Sequence, residues 1–501
     1  MSLMGLDVGI TGCKAVIFDE EGRELSRAYR EYPLLTPKPG WMEIDPESVW
    51  EAVQAVISEA AAKNKGEPVE ALSVSTHGES VVPIGEKGRA LYNFISALDT
   101  RTIPQTRWWE ERAGKWRIFQ ITGMPLHPMY TATKVMWLRE EEPEIFAHTR
   151  RFLCMHDFIF YKLGLPPVIN YPLAARTMLF DVIRREWSEE LFALAGLDFA
   201  LFSDARPSGE AAGELPRATA ENLGLPKNVL AVVGAHDQPA GALGSGVIEE
   251  GVAMDATGTV ECVGVASPRP VLNEKMLSSN LPCYPHAVGD MYFALGYTST
   301  GGALLRWYRD NFGLGEQMEA MRTGRDVYNI LLEQAAEGPV GVFVLPHFAG
   351  SGTPWMDPGS KGAILGLRLG QSKGELIKGL LDGITYETKL SLDAMAEAGI
   401  PVHELRAIGG GAKSAFWLQL KADIFGLRVV AMDVSEAACL GVALLAGAAA
   451  GRFLSIEEGV HQMVRPRKTY EPDMARHERY MEKYRVFARI YPALAELNRE
   501  M

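Results

Sequence analysis

The two halves of this 501-residue chain begin with the same short pattern of residues. Near the start, a predicted strand over residues 3–8 contains Asp7 and leads into a turn of Gly and Thr. The second half begins near Gly246, where a predicted strand over residues 251–255 ends at Asp255 and a similar turn follows. A match this short can arise by chance, but its place at the head of each half favours a duplicated architecture.

The first predicted strand belongs to a hairpin whose tip spans residues 9–14. The tip carries Gly9, Thr11 and Lys14, and the returning strand covers residues 15–18. Backbone amides freed by glycine, together with a hydroxyl and a lysine, bind phosphate groups. The alternative is an ordinary hairpin whose tip residues are merely polar. Taken alone, the hairpin leaves both interpretations open.

A carboxylate follows a buried strand near the middle of the chain. Residues 229–233 form an apolar run that is typical of a buried strand, and Asp237 comes soon after it. Ligands of open α/β sheets collect outside the carboxyl ends of the strands, so Asp237 is well placed for chemistry. The alternative is that Asp237 only caps the helix that follows.

Two further polar clusters suit a ligand that is rich in hydroxyl groups. His77 and Glu79 follow the predicted strand over residues 71–76, and Asp99 and Arg101 follow a short apolar segment. The structural alternative is equally simple. A buried histidine is often satisfied inside the core, and an Asp–Arg pair is often a plain ion pair.

A run of three glycines joins a strand to a helix in the second half. The predicted strand over residues 405–408 enters Gly409–Gly411, and a helix is predicted over residues 415–425. The glycines allow a ligand to approach the backbone closely. The start of the helix adds the positive end of a helix dipole. The segment mimics only the last residues of a P-loop, because the upstream glycine spacing is missing.

The balance of charge limits the partners of the chain. With 50 basic and 63 acidic residues the net charge is −13, which argues against a nucleic-acid partner because phosphate backbones require clustered Lys and Arg. A ligand such as ATP must then be met by local amides, a cation and a few basic side chains. The five scattered cysteines indicate free thiols in the cytoplasm. No stretch has the length of a membrane span or the form of a signal peptide.

Four motifs occur in order along the whole chain. They are Met129-x-Thr131-x-x-Lys134-Val135-x-Trp137, Gly362-x-Ile364-x-Gly366-Leu367 with Glu375 to Asp382, Gly40-Trp41-x-Glu43-x-Asp45-Pro46, and Gly409 to Trp417. In these motifs the chain resembles the FGGY carbohydrate kinases, members of the actin/hexokinase/Hsp70 ATPase superfamily. Gly379 stands where that family usually has Ala or Ser, and Ile10 removes one hydroxyl from the first phosphate loop.

The resemblance implies an α/β fold of two RNase H-like (actin-like ATPase) domains, residues 1–246 and 247–501, with a cleft between them. It implies ATP as phosphoryl donor, Mg²⁺ near Asp7, and Asp237 as the catalytic base. The residues implied to bind ATP are Gly9, Thr11, Lys14, Thr257, Gly258, Thr259, Gly409, Gly410, Gly411 and Ser414. The residues expected at the acceptor are His77, Glu79, Asp99, Arg101 and His236, although His236 also suits a role in buttressing the loop.

The acceptor is the least determined feature. His77-Gly78 resembles the Met-His-Gly region of xylulokinases, which favours a pentulose such as xylulose, whereas Glu79 partly resembles the Arg-Glu of glycerol kinases. Glycerol, erythritol, ribulose and gluconate stay open as alternatives. An actin- or Hsp70-like ATPase without any acceptor is the alternative from another class. Neither a nucleic acid nor a membrane is expected as partner, and homodimers are common in the resembled family.

Overall fold

The structure is a computed structural model and describes residues 1–500. Its first sheet contains three antiparallel strands, two strands added in parallel beside them, and one antiparallel strand at the edge. In spatial order these strands are Glu24–Glu31, Gly12–Phe18, Ser2–Val8, Val69–Thr76, Leu230–His236 and Ala211–Glu214.

The second sheet repeats this arrangement with one extra short strand at its far edge. In the same order its strands are Cys283–Pro285, Tyr292–Thr298, Glu261–Ser267, Val252–Thr257, Glu404–Gly409, Arg428–Met432 and Pro466–Tyr470. Val252–Thr257 therefore takes the place that Ser2–Val8 has in the first sheet. The duplicated architecture predicted from the sequence is confirmed.

Smaller sheets and the helices surround these two sheets. A five-stranded sheet consists of Leu34–Leu35, Glu43–Ile44, Phe94–Ile95, Val81–Ile84 and Arg151–Cys154. Three strand pairs are Val168–Asn170 with Asp204–Arg206, Phe180–Asp181 with Glu186–Trp187, and Phe343–Leu345 with Ala363–Leu365.

The α-helices of the first half are Pro46–Lys63, Ile103–Arg112, Lys115–Thr122, Thr131–Glu141, Pro143–His148, Met155–Lys162, Tyr171–Ala175, Glu189–Ala195, Arg217–Asn222 and Asp237–Gly244. Those of the second half are Glu274–Ser278, Gly302–Phe312, Leu314–Thr323, Val327–Glu333, Lys373–Glu397, Ala415–Phe425, Ala437–Ala449, Ile456–Met463, Met474–Phe487 and Ile490–Glu500. Across residues 1–500, none of these helices has the length and apolar character needed to cross a membrane.

Local sequence explains where the main elements begin. The first helix starts at Pro46. The preceding residue, Asp45, caps it by accepting a 2.9 Å hydrogen bond from the amide of Ser48. This is the usual arrangement of a capping carboxylate before a proline at the first helical position. The strand Ser2–Val8 is buried along its length except at Asp7, as expected for a strand covered on both faces.

Two small-residue helices cross at the seam between the halves. A Cβ atom on Gly244 would lie 1.9 Å from the carbonyl oxygen of Ala437, and one on Gly441 would lie 1.9 Å from that of Ala240. Glycine is therefore required where the two backbones touch. The helix Ala437–Ala449 comes from the second half of the sequence but packs on the first sheet, in one apolar cluster with residues such as Leu3. The domain boundary at Gly246 stays a prediction.

Candidate active site

A cavity of about 530 Å³ lies at the ends of two parallel strands of the second sheet. Volumes of this size suit a small-molecule ligand. The cavity is lined by the turn after Val252–Thr257, the glycine turn after Glu404–Gly409, and the start of the helix Gly302–Phe312. Among the predicted ATP-binding residues, those that line it are Thr257, Gly258, Thr259, Gly410, Gly411 and Ser414.

The glycine turn lies against the second phosphate loop. A Cβ atom on Gly411 would lie 2.6 Å from the Cβ atom of Thr257, and one on Gly409 would lie 2.6 Å from the carbonyl oxygen of Thr257. Gly409 also has a φ of +82°, in the left-handed region that favours glycine. Ser414 caps the helix Ala415–Phe425 by accepting a hydrogen bond from the amide of Trp417. The two loops therefore form one continuous wall of the cavity.

The first hairpin differs from the prediction in one respect. Its turn is shorter than residues 9–14, because the returning strand already begins at Gly12, and Lys14 lies within that strand rather than at the tip. Lys14 Nζ donates a 2.7 Å hydrogen bond to Glu436 Oε2. Gly9 closes the turn by a backbone hydrogen bond to Gly12, and Thr11 is exposed at the tip.

Asp7 presents a carboxylate where the strand Ser2–Val8 ends. Its Oδ1 accepts a 3.0 Å hydrogen bond from the hydroxyl of Ser75, and its Oδ2 lies 3.7 Å from Lys14 Nζ, beyond hydrogen-bond distance. Burial raises the pKa of Asp7, and the nearby ammonium of Lys14 only partly offsets this. Among residues 1–500, no three or more His, Cys, Asp or Glu side chains are grouped closely enough to hold a metal ion without other ligands. Mg²⁺ usually binds one or two carboxylates together with substrate phosphates, and Asp7 fits that chemistry.

Asp237 is the first residue of the helix Asp237–Gly244, directly after a strand that extends to His236. It does not cap this helix, since the capping position is His236 and its side chain makes no capping bond. The Asp237 side chain is 32 % exposed, yet its Oδ1 is buried and makes no hydrogen bond of normal geometry, its polar neighbour being His236 Nε2 at 3.1 Å. Burial, followed by the charges of Asp7 and Glu79, raises the pKa of Asp237 to about 7. Such a value is suited to a general base at neutral pH.

His236 links the two halves of the molecule. Its Nδ1 forms a 3.1 Å hydrogen bond with the hydroxyl of Tyr284 from the second sheet, and its Nε2 lies 3.1 Å from Asp237 Oδ1. Burial, and the charges of Arg176 and His77, hold the pKa of His236 well below its usual range. The ring is therefore neutral and braces the junction of the strand and the helix at which Asp237 lies.

Glu79 is paired with Arg176, a residue that the sequence analysis missed. The Arg176 guanidinium contacts Glu79 Oε1 through Nε and Nη2, and both side chains are buried. The guanidinium also lies 5.4 Å and 5.6 Å from the ring centres of Tyr130 and Tyr284, within cation–π range. The signal in the sequence was slight, a single cation inside the apolar run over residues 173–180.

The other predicted acceptor residues have polar atoms that are already bonded within the protein. Both ring nitrogens of His77 are engaged, Nδ1 with the carbonyl of Val8 and Nε2 with the hydroxyl of Ser80. Burial lowers the pKa of His77 to about 4, so its ring is neutral.

Asp99 and Arg101 form a closed network away from solvent. Arg101 donates to both carboxylate oxygens of Asp99 and to Glu43 Oε1, and its guanidinium lies 3.7 Å from the ring centre of Trp41. The side chains of Asp99 and Arg101 are 0 % and 1 % exposed. The structure does not bring their polar atoms to an open surface.

The predicted site residues of the two halves lie at matching ends of the two sheets. The parallel strands of the first sheet end directly before Gly9, His77 and Asp237, and those of the second sheet end at the wall of the cavity. The fold and the cavity define an α/β protein of two matching sheets with a small-molecule site at the strand ends of the second sheet. The N-terminal domain of the FGGY family of carbohydrate kinases matches residues 2–244, and its C-terminal domain matches residues 253–450. The chain belongs to this family and is an ATP-dependent kinase of sugars or polyols.

Individual relatives extend along almost the whole chain. The chain is similar to the xylulose kinase of Bacillus subtilis, with 27 % identity over 99 % of this chain and 98 % of the relative. It is similar to the glycerol kinase of Halorhodospira halophila, with 31 % identity over 95 % and 93 %. Among solved structures, the gluconate kinase from Lactobacillus acidophilus superposes with a TM-score of 0.89 at 24 % identity over 99 % and 98 % of the two chains, which shows the fold alone.

Proposed function

We propose that this kinase phosphorylates a hydroxyl of a pentulose such as xylulose, with Mg-ATP as donor and Asp237 as general base. The observation that carries the proposal is the buried Oδ1 of Asp237, which has a neutral His236 ring beside it but makes no hydrogen bond of normal geometry, on a carboxyl whose pKa of about 7 leaves it partly ionised at neutral pH. A positioned base of this kind is worth about 10²–10⁴-fold in rate.

In the proposed reaction, the acceptor oxygen attacks the γ-phosphorus while its proton passes to Asp237 Oδ1. The bond from that phosphorus to the bridging oxygen of ADP breaks. Thr257, Gly258, Thr259 and the glycine turn hold the nucleotide, and Gly9, Thr11 and Lys14 face its terminal phosphate. Mg²⁺, held by Asp7 and the phosphates, would neutralise phosphate charge when bound. Phosphoryl transfer depends mainly on this kind of positioning and charge stabilisation.

The pairing of Arg176 with Glu79 supports a neutral acceptor. A sugar acid carries a carboxylate that would need a cation, but the charge of Arg176 is already balanced by Glu79 in the buried pair. A free ketose offers only hydroxyl and carbonyl groups, which suit the remaining donors of Arg176 and the carboxylate of Glu79. Relatives named xylulose kinase, gluconokinase and glycerol kinase all match over most of the chain, so the choice rests on this pairing.

Contacts of the acceptor with His77, Asp99, Arg101 and His236 stay predictions. In this structure Asp99 and Arg101 bond to each other and to Glu43, so a direct contact would require that network to open. The homodimer, the cytoplasmic location and the absence of a nucleic-acid partner likewise stay predictions from the sequence.

The test is ADP release with D-xylulose, D-ribulose, glycerol, erythritol and gluconate, each compared with no acceptor. We expect the largest kcat/KM with xylulose and little ADP release without an acceptor. The Asp237→Asn variant should still bind ATP but lose most turnover, whereas Glu250→Gln, at an exposed carboxylate, should behave as the wild type. A largest kcat/KM with gluconate would refute the pentulose assignment. Near wild-type turnover by Asp237→Asn would refute the base.

A further inference from the structure

A buried cluster of charged and hydroxyl groups lies directly behind the second phosphate loop. Lys421 Nζ, on the helix Ala415–Phe425, donates hydrogen bonds of 2.6 Å to Asp255 Oδ2 and 2.7 Å to Thr257 Oγ1, and lies 3.3 Å from Glu261 Oε1. Thr388 donates a 2.6 Å bond to the same oxygen of Glu261. The Lys421 side chain is 2 % exposed, and both carboxylates are 0 % exposed.

Asp255 differs from Asp7, the carboxylate near the end of the matching strand in the first sheet, in position and in exposure. Asp7 lies one residue before the last paired residue of its strand, Val8, whereas Asp255 lies two residues before the last paired residue of its strand, Thr257, so the two carboxylates are on opposite faces of matching strands. The Asp7 side chain is 18 % exposed and only 3.7 Å from its lysine, whereas Asp255 is closed off by Lys421. Asp255 is therefore a buried partner of Lys421 and not a second copy of Asp7.

Lys421 determines which way the hydroxyl of Thr257 points. Because the ammonium donates to Thr257 Oγ1, the hydroxyl hydrogen must go to another acceptor. Within the protein the acceptors are Asp255 Oδ1 at 3.4 Å and Glu261 Oε2 at 3.3 Å, both long for a hydroxyl donor. A phosphate oxygen in the cavity within about 2.7 Å would be the better acceptor, because the charge-assisted bond would then have its usual length.

The same threonine is fixed from its other side. A Cβ atom on Gly411 would lie 2.6 Å from the Cβ and 2.7 Å from the Cγ2 atom of Thr257, so the glycine turn packs directly against this side of Thr257. Thr257 is thus held between the glycine turn and Lys421. Burial alone would lower the pKa of Lys421, but Asp255 and Glu261 outweigh it and raise that pKa, so the ammonium is charged at neutral pH.

We propose that Lys421 is a positioning residue for nucleotide binding: it holds Thr257 in place and directs its hydroxyl as a donor to the phosphates of ATP. The inference rests on the proposed placement of the nucleotide at the second phosphate loop. It adds a residue that touches neither nucleotide nor acceptor and acts through Thr257.

The experiment measures the affinity for the non-hydrolysable analogue AMP-PNP with Mg²⁺ by calorimetry, and KM for ATP and for acceptor separately. Lys421→Met should weaken AMP-PNP binding about tenfold or more, as expected for a lost bond to a charged group, and leave the acceptor KM unchanged. The matched control is Lys378→Met, which removes another buried lysine paired with a carboxylate, Asp382, in the same half. This control should lower thermal stability but change AMP-PNP affinity less than twofold.

A double-mutant cycle with Thr257→Val distinguishes positioning from a general structural role. If Lys421 acts through the hydroxyl, Lys421→Met should add no further loss of AMP-PNP affinity in the Thr257→Val background. Independent, multiplying losses would overturn the proposal, and so would an unchanged affinity in Lys421→Met. If that variant does not fold, Lys421→Met/Asp255→Asn removes the carboxylate left without a partner, and wild-type affinity there would equally overturn it.

The outcomes separate this inference from the proposed function. Loss of affinity in Thr257→Val but not in Lys421→Met would refute only the role of Lys421. An unchanged affinity in Thr257→Val would refute both the role of Lys421 and the assignment of Thr257 to nucleotide binding.

Discussion

The raised pKa of Asp237 makes the pH dependence of turnover a quantitative test of the proposed base. Only the ionised carboxylate can accept the proton of the acceptor hydroxyl. With a pKa of about 7, about nine tenths of Asp237 is ionised at pH 8 and about one tenth at pH 6. We therefore expect kcat/KM to fall about tenfold between these two pH values. An ordinary aspartate, with a pKa of 3.8, would be ionised at both and give a flat profile.

The fall of kcat/KM on the acid side of the pH profile, its acidic limb, should shift in pH when the charges around Asp237 change. Glu79 raises the pKa of Asp237, and Arg176 lowers it. Glu79→Gln removes the negative charge and also leaves the guanidinium without its partner. Both effects favour the ionised form of Asp237, so the limb should move to lower pH even if kcat/KM falls overall. Glu250→Gln, at an exposed carboxylate, should leave the limb in place.

The assay is ADP release at acceptor concentrations well below KM, measured by quench and chromatography from pH 5.5 to pH 9. With ATP also kept well below its KM, the rate reports groups of the free enzyme, and the limb can be compared directly with the unliganded structure. Asp237→Asn should reduce turnover by about 10²–10⁴-fold and remove the limb from what remains. A wild-type profile that is flat between pH 6 and pH 8 would refute the reasoning, and so would a limb that persists in Asp237→Asn.

Three further predictions concern stability and are measured by thermal unfolding. Burial disfavours the ionised form of Asp237, so ionisation lowers the stability of the folded protein progressively as pH rises from about 4 to about 7. Asp237→Asn should therefore raise Tm more at pH 8 than at pH 5. An equal rise at both pH values would contradict this. Gly441→Ala should destabilise the protein by about 1–3 kcal/mol or more, since its Cβ would lie 1.9 Å from a carbonyl oxygen, whereas Gly241→Ala in the partner helix, with 3.4 Å to Met254, should be tolerated. Asp99→Asn should lower Tm because it leaves the buried Arg101 with less compensating charge; an unchanged Tm combined with a higher acceptor KM would instead favour a direct contact.

The features that depend on short stretches of sequence could be predicted. The pattern of strand, carboxylate and turn at the head of each half was enough to predict the duplicated sheets, because apolar runs and turn residues are local signals. The position of Asp237 after a central strand followed from the same kind of argument. The strand extends three residues beyond the predicted end at Val233, which places His236 in the sheet.

The features that depend on distant segments could not be predicted. Lys14 was expected at a hairpin tip, but pairing of residues 12–14 with the neighbouring strands places it in the sheet beside Glu436. Asp99 and Arg101 were predicted to be a ligand site, but in the fold Trp41 and Glu43, from an earlier segment, contact Arg101 and bury the pair. Arg176 carries no periodic pattern or motif, and its role depends on contact with Glu79, about a hundred residues away. Sequence spacing alone cannot show such contacts.

The helix Ala437–Ala449 has a consequence for how this chain is made. The apolar face of the first sheet that it covers, with Leu3, Val16 and Ala71, is synthesised at the beginning, but its cover emerges about 190 residues after the first half is complete. At roughly 5–20 residues per second, this leaves the face uncovered for roughly 10–40 s on each ribosome. During that interval the nascent first half carries an exposed apolar surface, and a chain that ends before residue 437 never covers it.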